Sequence, residues 1–445
     1  MHDRFITFIE QAGLLGPGDK VLLATSGGVD SMAMCHLFRR AGLPFAVAHC
    51  NFQLRAAASN QDEQFVRQMA VSLGVPFFCQ RFDTVAFSNL GKISIQEAAR
   101  KLRYEWLEKT RQDAGCAYIA TAHHLDDSIE TVLFNFSKGC GIRGLHGILP
   151  KQGNLIRPLL FATKKELLAF AQGEEIGFRE DASNLTDKYS RNLIRHHAVP
   201  VFEKINPSFQ RSAEKTIARL LEVESLYDFV LDKIREDVLE PNGPDWKIHL
   251  AKLAHYPALP TVLYELLHPF GFNSDQSVQI LQSIDNQPGK MFFSPDWQLL
   301  VDRFLLILSR GEKHGGVIRI PSIQAGSIAL ADGEFQVELV DGPTPSFSKK
   351  NNEAWLDYGK ITFPLTLRHW QPGDSFCPLG MGGKHQKLQD FFSNNKLDRF
   401  EKERIWLLES GGEICWVVGH RLDERFKVAQ KTEKCLVARF TRKKG

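Results

Sequence analysis

At 445 residues, the chain exceeds the size at which a single hydrophobic core stops growing, so we expect two or three domains. With 43% hydrophobic and 24% charged residues it resembles an ordinary globular protein, and no apolar run approaches the roughly 18 residues that span a bilayer. Asp3 and Glu10 interrupt the apolar N-terminal stretch, which disfavours a secretory signal and predicts a cytoplasmic protein with no membrane partner.

The cysteines argue against several kinds of site, and the charge distribution favours one kind of partner. The eight cysteines form no Cys-x-x-Cys pair, which argues against a thiolate zinc site, an iron–sulfur cluster and a disulfide scaffold. From Ile361 onward, 16 Lys and Arg face 10 Asp and Glu, a net of +6, so the first 360 residues carry −3 of the total of +3. This basic block suits a polyanionic partner, although a solvated basic surface explains it equally well.

The first 180 residues alternate between strand-like and helix-like segments. Apolar runs predict strands at 21–25, 45–49, 76–82 and 117–122, and helix-length stretches lie at about 31–41, 59–74, 94–115 and 127–138. This alternation predicts an α/β fold in which a parallel sheet carries helices on both faces. Since ligands of such sheets bind at the carboxyl ends of strands, we expect the chemistry just after residues 25, 49 and 122.

Beyond residue 205 the pattern changes. It predicts a mainly helical or mixed middle domain, with a break marked by Pro241, Gly243 and Pro244, and then sheet in the segment GSIALADGEFQVELV. The stretch 343–352, PTPSFSKKNN, is typical of a linker, and a small α+β domain follows it. We therefore expect domains at 1–205, 206–345 and 362–440.

The stretch TSGGVDS, residues 25–31, follows the first strand directly. Glycines there permit positive φ and let main-chain amides approach a ligand, while the helix beginning near Asp30 directs its positive end to the same place. The pattern predicts a phosphate-binding loop made of Ser26, Gly27, Gly28, Val29, Asp30 and Ser31. It lacks the lysine of G-x-x-x-x-G-K-[ST], the glycines of G-x-G-x-x-G and the register of a nucleophile elbow. The structural alternative is a tight turn in which Asp30 or Ser31 caps the helix.

SGGVDS resembles the loop of the PP-loop ATP pyrophosphatases, which cleave ATP between its α and β phosphates. Seven further motifs follow along the chain: HCNFQLR (49–55), AARKLRY (98–104), AHHLDDSIET (122–131), GIRGLHG (141–147), RPLL (157–160), EDASN (180–184) and RNLIR (191–195). In order and spacing, these motifs resemble those of the tRNA(Ile)-lysidine synthetase family. The blocks at 368–392 and 416–428 resemble the C-terminal domain of that family.

The resemblance implies an ATP-dependent carbon–nitrogen ligase. It would join free L-lysine to C2 of the wobble cytidine in the isoleucine tRNA that bears a CAU anticodon, through an adenylated base. The implied catalytic residues are Asp30, Arg103, His123 and Asp127. Arg100 and the loop 26–31 would bind ATP, and Asp30 and Asp127 would hold Mg²⁺.

Each assigned residue also has an ordinary structural explanation. Arg100 and Arg103 share one helix face, where they could form surface pairs with Glu97 or Glu108. Asp127 and Glu130 have the spacing of a helix capping box, which is compatible with a metal-binding role for Asp127. His123 could be a hydrogen-bonded histidine at a strand end. His196 and His197 match no site motif, so we expect them to be structural.

The chain departs from the family motif at one position, and two alternative functions are compatible with the sequence. Family members often carry a second histidine where this chain has Phe52, although Asn51 and Arg55 match the motif. A PP-loop enzyme that thiolates tRNA would need a sulfur donor in place of lysine, whereas a catalytically silent PP-loop protein would bind ATP or tRNA without releasing pyrophosphate. The sequence leaves the oligomeric state open, and a homodimer is one option.

Overall fold

The computed structural model describes residues 1–54, 57–179, 190–284, 289–311, 316–323, 327–330, 332–342 and 351–443. The chain divides into two compact units, Met1–Asp228 and Phe229–Gly445. Of the helices in the described ranges, none combines the length and the apolar character that a bilayer crossing requires.

The first unit is built on a six-stranded sheet. Its strands are β1 (Val21–Ala24), β2 (Phe45–Asn51), β3 (Phe77–Arg81), β4 (Tyr118–Thr121), β5 (Lys151–Gln152) and β6 (Leu155–Ile156). Its helices are α1 (His2–Gln11), α2 (Val29–Arg40), α3 (Ala57–Leu73), α4 (Thr84–Gly91), α5 (Ile95–Asp113), α6 (Leu125–Lys138), α7 (Lys164–Gly173), α8 (Ser190–Leu193), α9 (Val199–Ile205) and α10 (Phe209–Val238), the last of which continues past the unit's end. The strand order is β3-β2-β1-β4-β6-β5, and all pairs are parallel except β5 with β6.

Alternating side chains of β1 enter two different cores. Val21 and Leu23 are fully buried in the core that α1, α2 and α7 share, whereas Leu22 packs on the opposite face with Leu107 of α5. Burial on both faces is why the strands appear as continuous apolar runs. The predicted parallel sheet with helices on both faces is confirmed, while α4 and the β5–β6 hairpin fall outside the predicted alternation.

The strand order places the ligand crevice. β1 lies between β2 and β4, so the chain connections leave β1 in opposite directions along the sheet. In open α/β sheets this reversal point creates a crevice at the carboxyl ends of the strands. The loops after β1 and β4 therefore face each other across that crevice.

The second unit consists mainly of antiparallel sheets. Its first sheet contains β7 (Leu239–Asn242), β8 (Asp245–His249), β9 (Met291–Phe293), β10 (Trp297–Val301) and β11 (Leu305–Arg310), with helices α11 (Leu250–Leu253), α12 (Leu259–Leu267) and α13 (Ser274–Ser283). The predicted break at Pro241 to Pro244 lies at the β7–β8 hairpin, where Gly243 has φ +60°.

The remaining strands of the second unit form two larger sheets around one core, and a short pair. One sheet has β12 (Ile318–Ile320), β16 (Leu365–His369), β19 (Trp406–Ser410), β20 (Glu413–Val417) and β21 (Arg421–Leu422), and the other has β13 (Ser327–Ala329), β14 (Gly333–Asp341), β15 (Glu353–Asp357) and β22 (Lys434–Arg442). The short pair is β17 (Ser375–Phe376) with β18 (Gln386–Lys387), and the helices are α14 (Leu388–Asn394) and α15 (Arg399–Arg404).

Pairing between distant strands bears on the predicted boundary at residue 345. β14 pairs with β22 along its whole length, from Gly333 opposite Arg442 to Asp341 opposite Lys434. Segments on both sides of residue 345 thus belong to one sheet. Residues 343–350 of the predicted linker lie outside the described residues.

Candidate active site

Residues 25–31 leave β1 in a turn that depends on Gly27. Gly27 has φ +94°, and a Cβ there would lie 3.3 Å from Val66 Cγ2. Helix α2 follows with Gly28 as its N-cap, and among the described residues no side chain caps the first amides. The uncapped amides and the positive end of the helix dipole favour an oxyanion at this place. The structure therefore contradicts the alternative in which Asp30 or Ser31 caps the helix.

Ser31 fixes the shape of the loop from within. Its Oγ accepts hydrogen bonds from the amides of Ser26 and Gly27, both at 3.2 Å, and donates to the Gly28 carbonyl at 2.9 Å. Ser31 is buried, whereas Ser26 is exposed and can turn its hydroxyl toward a ligand. Val29 packs into the core, so only its main-chain amide can serve the loop.

The loop forms one wall of a cleft of about 240 Å³ at the carboxyl ends of the strands. The lining residues come from β1, β2, β4, the loops that follow them, and helices α2 and α5. They are Ala24, Thr25, Ser26, Asp30, Ser31, Ala48, Cys50, Phe52, Arg103, Tyr104, Thr121, Ala122 and His123. The cleft thus brings together the predicted residues Ser26, Asp30, Ser31, Arg103 and His123, in the crevice that the strand order predicts.

Arg103 reaches this cleft from α5 and rests on an aromatic pair. Its guanidinium carbon lies 5.2 Å from the centroid of the Phe52 ring, which itself stacks on Phe82 with 5.6 Å between centroids. A guanidinium over a ring face gains cation–π stabilisation while its N–H groups remain available. Phe52, the departure from the family motif, therefore supports the arginine that the motif analysis singled out.

Arg100 takes a different position on the same helix. It is exposed, and its guanidinium lies over the Tyr104 ring at 5.0 Å. In the described part of the chain, no ion pair joins Arg100 or Arg103 to Glu97 or Glu108. Glu108 instead binds Arg111 at 2.6 Å.

His124 is 5% exposed and lies among three carboxylates. Its Nε2 is 3.9 Å from Asp30 Oδ2 and 3.5 Å from Asp127 Oδ2, and its Nδ1 is 3.4 Å from Asp126 Oδ2. Burial lowers the pKa of His124, but the three carboxylates outweigh it and raise the pKa above its usual value. His124 thus lies against both Asp30 and Asp127, the two predicted metal ligands.

The capping box of α6 lies three residues before the predicted position. Asp127 Oδ2 accepts a hydrogen bond from the His124 amide at 3.0 Å, so His124 is the N-cap and Asp127 the third helical residue. The helix begins at Leu125 because that side chain, 5% exposed, packs into the core. Glu130 plays no part in the cap. It is buried and accepts hydrogen bonds from Arg195 at 2.6 and 3.0 Å.

His123 faces the cleft as a neutral ring. Its Nδ1 lies 2.8 Å from Thr121 Oγ1. Burial lowers the pKa of His123 to about 4, and the charges of Arg157 and Arg191 act in the same direction while Asp127 opposes them. At neutral pH the imidazole is therefore a hydrogen-bonding group and a weak base.

A second cavity, of about 350 Å³, adjoins the same loop after β4. Its lining carries both signs of charge and consists of His124, Asp126, Ile129, Glu130, Lys164, Arg195, Val199, Pro200, Glu203 and Gln210. His123 lines the first cleft and His124, the next residue, lines the second cavity. The two spaces are thus neighbours across one loop.

Comparisons with known proteins identify the family. Three family models match: a PP-loop domain at residues 3–202, a TilS substrate binding domain at 241–312, and a TilS substrate C-terminal domain at 365–438. The tRNA(Ile)-lysidine synthase of Parabacteroides distasonis is 40% identical over 97% of this chain and 98% of its own length. That of Bacteroides thetaiotaomicron is 38% identical over 98% and 99%.

The chain belongs to the tRNA(Ile)-lysidine synthase family. A solved structure, the U34-tRNA thiolase of Methanococcus maripaludis, is more distant. It shares 20% identity at a TM-score of 0.40, covering 49% of this chain and 80% of that one.

The structure of this lysidine synthase family member adds residues that the sequence analysis did not assign. His124, Arg157 and Arg195 lie inside the quoted motifs, so their positions in those motifs could have identified them as site residues. Lys164 lies outside every motif, and only the fold brings its Nζ to 2.6 Å from Asp30 Oδ2. Arg157 is 8% exposed, and its Nε has no hydrogen-bond partner among the described residues.

Two parts of the motifs shared with lysidine synthases lie outside the described residues, namely Arg55 of the first motif and the segment EDASN at 180–184. His196 and His197 lie in a π-helical turn, Ile194–Ala198, beside Arg195 and Val199 of the second cavity, but neither histidine is among the residues that line the two cavities.

Proposed function

We propose that this protein ligates L-lysine to C2 of the wobble cytidine in the isoleucine tRNA with a CAU anticodon, using ATP and releasing AMP and pyrophosphate. The observation that carries the proposal is the adjacency of two spaces in a chain of this family. One is a cleft with a phosphate-binding loop, and the other is a cavity lined by both acids and bases.

The residues around Asp30 suit a magnesium ion that arrives with ATP. Asp30 Oδ1 is buried without a hydrogen-bond partner among the described residues, and Asp127 lies against the same imidazole of His124. No group of three or more His, Cys, Asp or Glu in the described ranges could hold a metal alone. Mg²⁺ is commonly held by one or two carboxylates together with substrate phosphates, so Asp30 and Asp127 would be its protein ligands. When bound, it would neutralise charge on the departing pyrophosphate.

In the first step, the C2 oxygen of the cytidine attacks the α-phosphate, and the bond between the α-phosphate and pyrophosphate breaks. The amides at the start of α2 and the hydroxyl of Ser26 hold the phosphates. Arg103 presents its guanidinium to the charge that develops, because Phe52 holds it over the cleft. His123, neutral at working pH, offers a hydrogen bond to the α-phosphate.

In the second step, the neutral lysine ε-amine attacks C2, the bond between C2 and the adenylate oxygen breaks, AMP leaves, and the surplus amine proton passes to water. Lysine carries a carboxylate and two amines, and the second cavity offers the guanidinium of Arg195 beside the carboxylates of Asp126 and Glu130. Burial raises the pKa of Glu130, although Arg195 opposes the shift. A pKa of about 4 makes His123 too weak a base to take a proton from an amine whose ordinary pKa is about 10. We therefore assign His123 to the phosphate rather than to the amine.

The tRNA would be held mainly by charge. A loop base can react only when it is splayed from its neighbours, so the anticodon must open at the cleft. The basic block after Ile361, with its net charge of +6, would contact the phosphates of the tRNA body.

The decisive assay supplies ATP, magnesium, radiolabelled lysine and isoleucine tRNA, and measures label in acid-insoluble RNA. We expect lysine-dependent labelling, and little with a methionine tRNA that shares the CAU anticodon. Labelling that requires a sulfur donor and ignores lysine would favour the thiolation rival. ATP binding without any pyrophosphate release would favour a silent binding protein.

A further inference from the structure

Lys164 pairs with the carboxylate that the proposed function assigns to magnesium. Its Nζ donates to Asp30 Oδ2 at 2.6 Å, across 134 positions in the sequence. Lys164 is the first residue of α7, and its backbone amide donates to Asp126 Oδ2 at 2.8 Å. The base of the side chain is therefore fixed, while its four-carbon stem can swing.

The pair is weak enough to be exchanged. The side chains of Lys164 and Asp30 are 45% and 22% exposed, so solvent screens their attraction. A divalent cation on Asp30 would repel the ammonium and compete for the same oxygen. Asp30 Oδ1, buried and unpartnered among the described residues, marks the second coordination position of that carboxylate.

A displaced ammonium would lie close to the phosphates of a bound nucleotide. Asp30 lies in the first turn of α2, whose uncapped amides form the phosphate site, and Lys164 reaches it from the edge of the second cavity. Lysine is well suited to this exchange because it is a compact charge on a flexible stem.

We propose that Lys164 neutralises Asp30 before nucleotide binds, and becomes a ligand of the pyrophosphate group when magnesium takes Asp30. This inference rests on the proposed function and adds a phosphate-binding residue to it. The simpler alternative is a permanent counterion that never touches phosphate.

Two binding measurements on the full chain separate these roles. Without nucleotide, Lys164→Met should tighten Mn²⁺ binding, read by electron paramagnetic resonance, by about fivefold, the size of one exposed ion pair. With magnesium present, the same variant should weaken inorganic pyrophosphate binding, read by calorimetry, by about tenfold, as for one charged hydrogen bond. Lys164→Arg should restore most of the pyrophosphate affinity. Lys165→Met, an exposed neighbour on α7, should change neither.

Tighter Mn²⁺ with unchanged pyrophosphate affinity would leave only a counterion and overturn the proposal, as would no change in either measurement. If Lys164→Met misfolds, amine labelling of the wild-type chain with mass-spectrometric readout replaces it. Magnesium alone should raise Lys164 labelling, and magnesium with pyrophosphate should lower it again. Unvarying labelling overturns the proposal.

The two proposals fail separately. Wild-type protein that binds pyrophosphate through Lys164 but transfers no lysine to tRNA would refute the function and leave this inference standing. Lysine transfer that is as fast in Lys164→Met as in wild type, with unchanged pyrophosphate affinity, would refute only the inference.

Discussion

Adjacent glycines of the phosphate loop should respond differently to substitution by alanine. At Gly27, φ is +94° and the new Cβ would meet Val66 Cγ2 at 3.3 Å, so Gly27→Ala should lower the free energy of unfolding by about 1–2 kcal/mol from backbone strain. At Gly28, φ is −74° and the nearest atom to a new Cβ is Ser26 Oγ at 3.5 Å, an ordinary contact. There the loss of a favourable N-cap residue, about 0.5–1 kcal/mol, is offset by a similar gain in unfolded-state entropy.

Binding of an ATP analogue should also distinguish the two glycine variants. The Gly28 Cβ would lie 3.5 Å from Ser26 Oγ, the hydroxyl proposed to hold the phosphates, so Gly28→Ala should weaken calorimetric binding of a non-hydrolysable ATP analogue by about tenfold while leaving stability unchanged. Stability is best read by hydrogen exchange in urea on peptides from β1 and α2, because a chain with two units need not unfold in one step. Equal destabilisation by both variants, or a neutral Gly27→Ala, would refute the loop conformation and its role.

Three further predictions test the charges. Arg103→Leu should lower the rate of pyrophosphate release by about 100-fold, whereas Arg103→Lys should recover part of it; an unchanged rate would remove Arg103 from the first step. Between pH 6.5 and about 4, His123 is protonated in the unfolded chain but neutral in the folded chain. The free energy of unfolding therefore falls as the pH drops through this window. His123→Asn should reduce this acid loss by up to about 2 kcal/mol in urea titrations at pH 7 and 4.5, and an identical pH slope would contradict the assignment. Filter binding of tRNA should weaken steeply with salt, and a flat salt series would exclude the basic C-terminal block as the tRNA platform.

The sequence was most informative where local rules decide the structure. The strand that precedes TSGGVDS, the positive φ at Gly27 and the position of His123 at the end of a strand follow from periodicity, glycine chemistry and sheet topology, whereas Arg103 was assigned through the family resemblance. Each of these depends on a short stretch of chain. A single sequence is sufficient to predict them.

Long-range contacts were not predictable in this way. Lys164 reaches Asp30, and Arg195 reaches Glu130, only because the sheet returns distant segments to one edge. The α6 cap shifted to His124 because Leu125 is drawn into the core, an effect of packing that capping rules ignore. The β14–β22 pairing joins strands on both sides of a stretch that resembles a linker. Each of these depends on tertiary packing that overrides a local signal.

The central claim is that the cleft beside residues 26–31 activates an RNA base by adenylation. The most direct test incubates the protein with ATP labelled at the α-phosphate, magnesium and isoleucine tRNA, without lysine. We expect label attached to the tRNA, which added lysine then releases as AMP. Label recovered as ADP, or an RNA adduct that lysine fails to discharge, would contradict it.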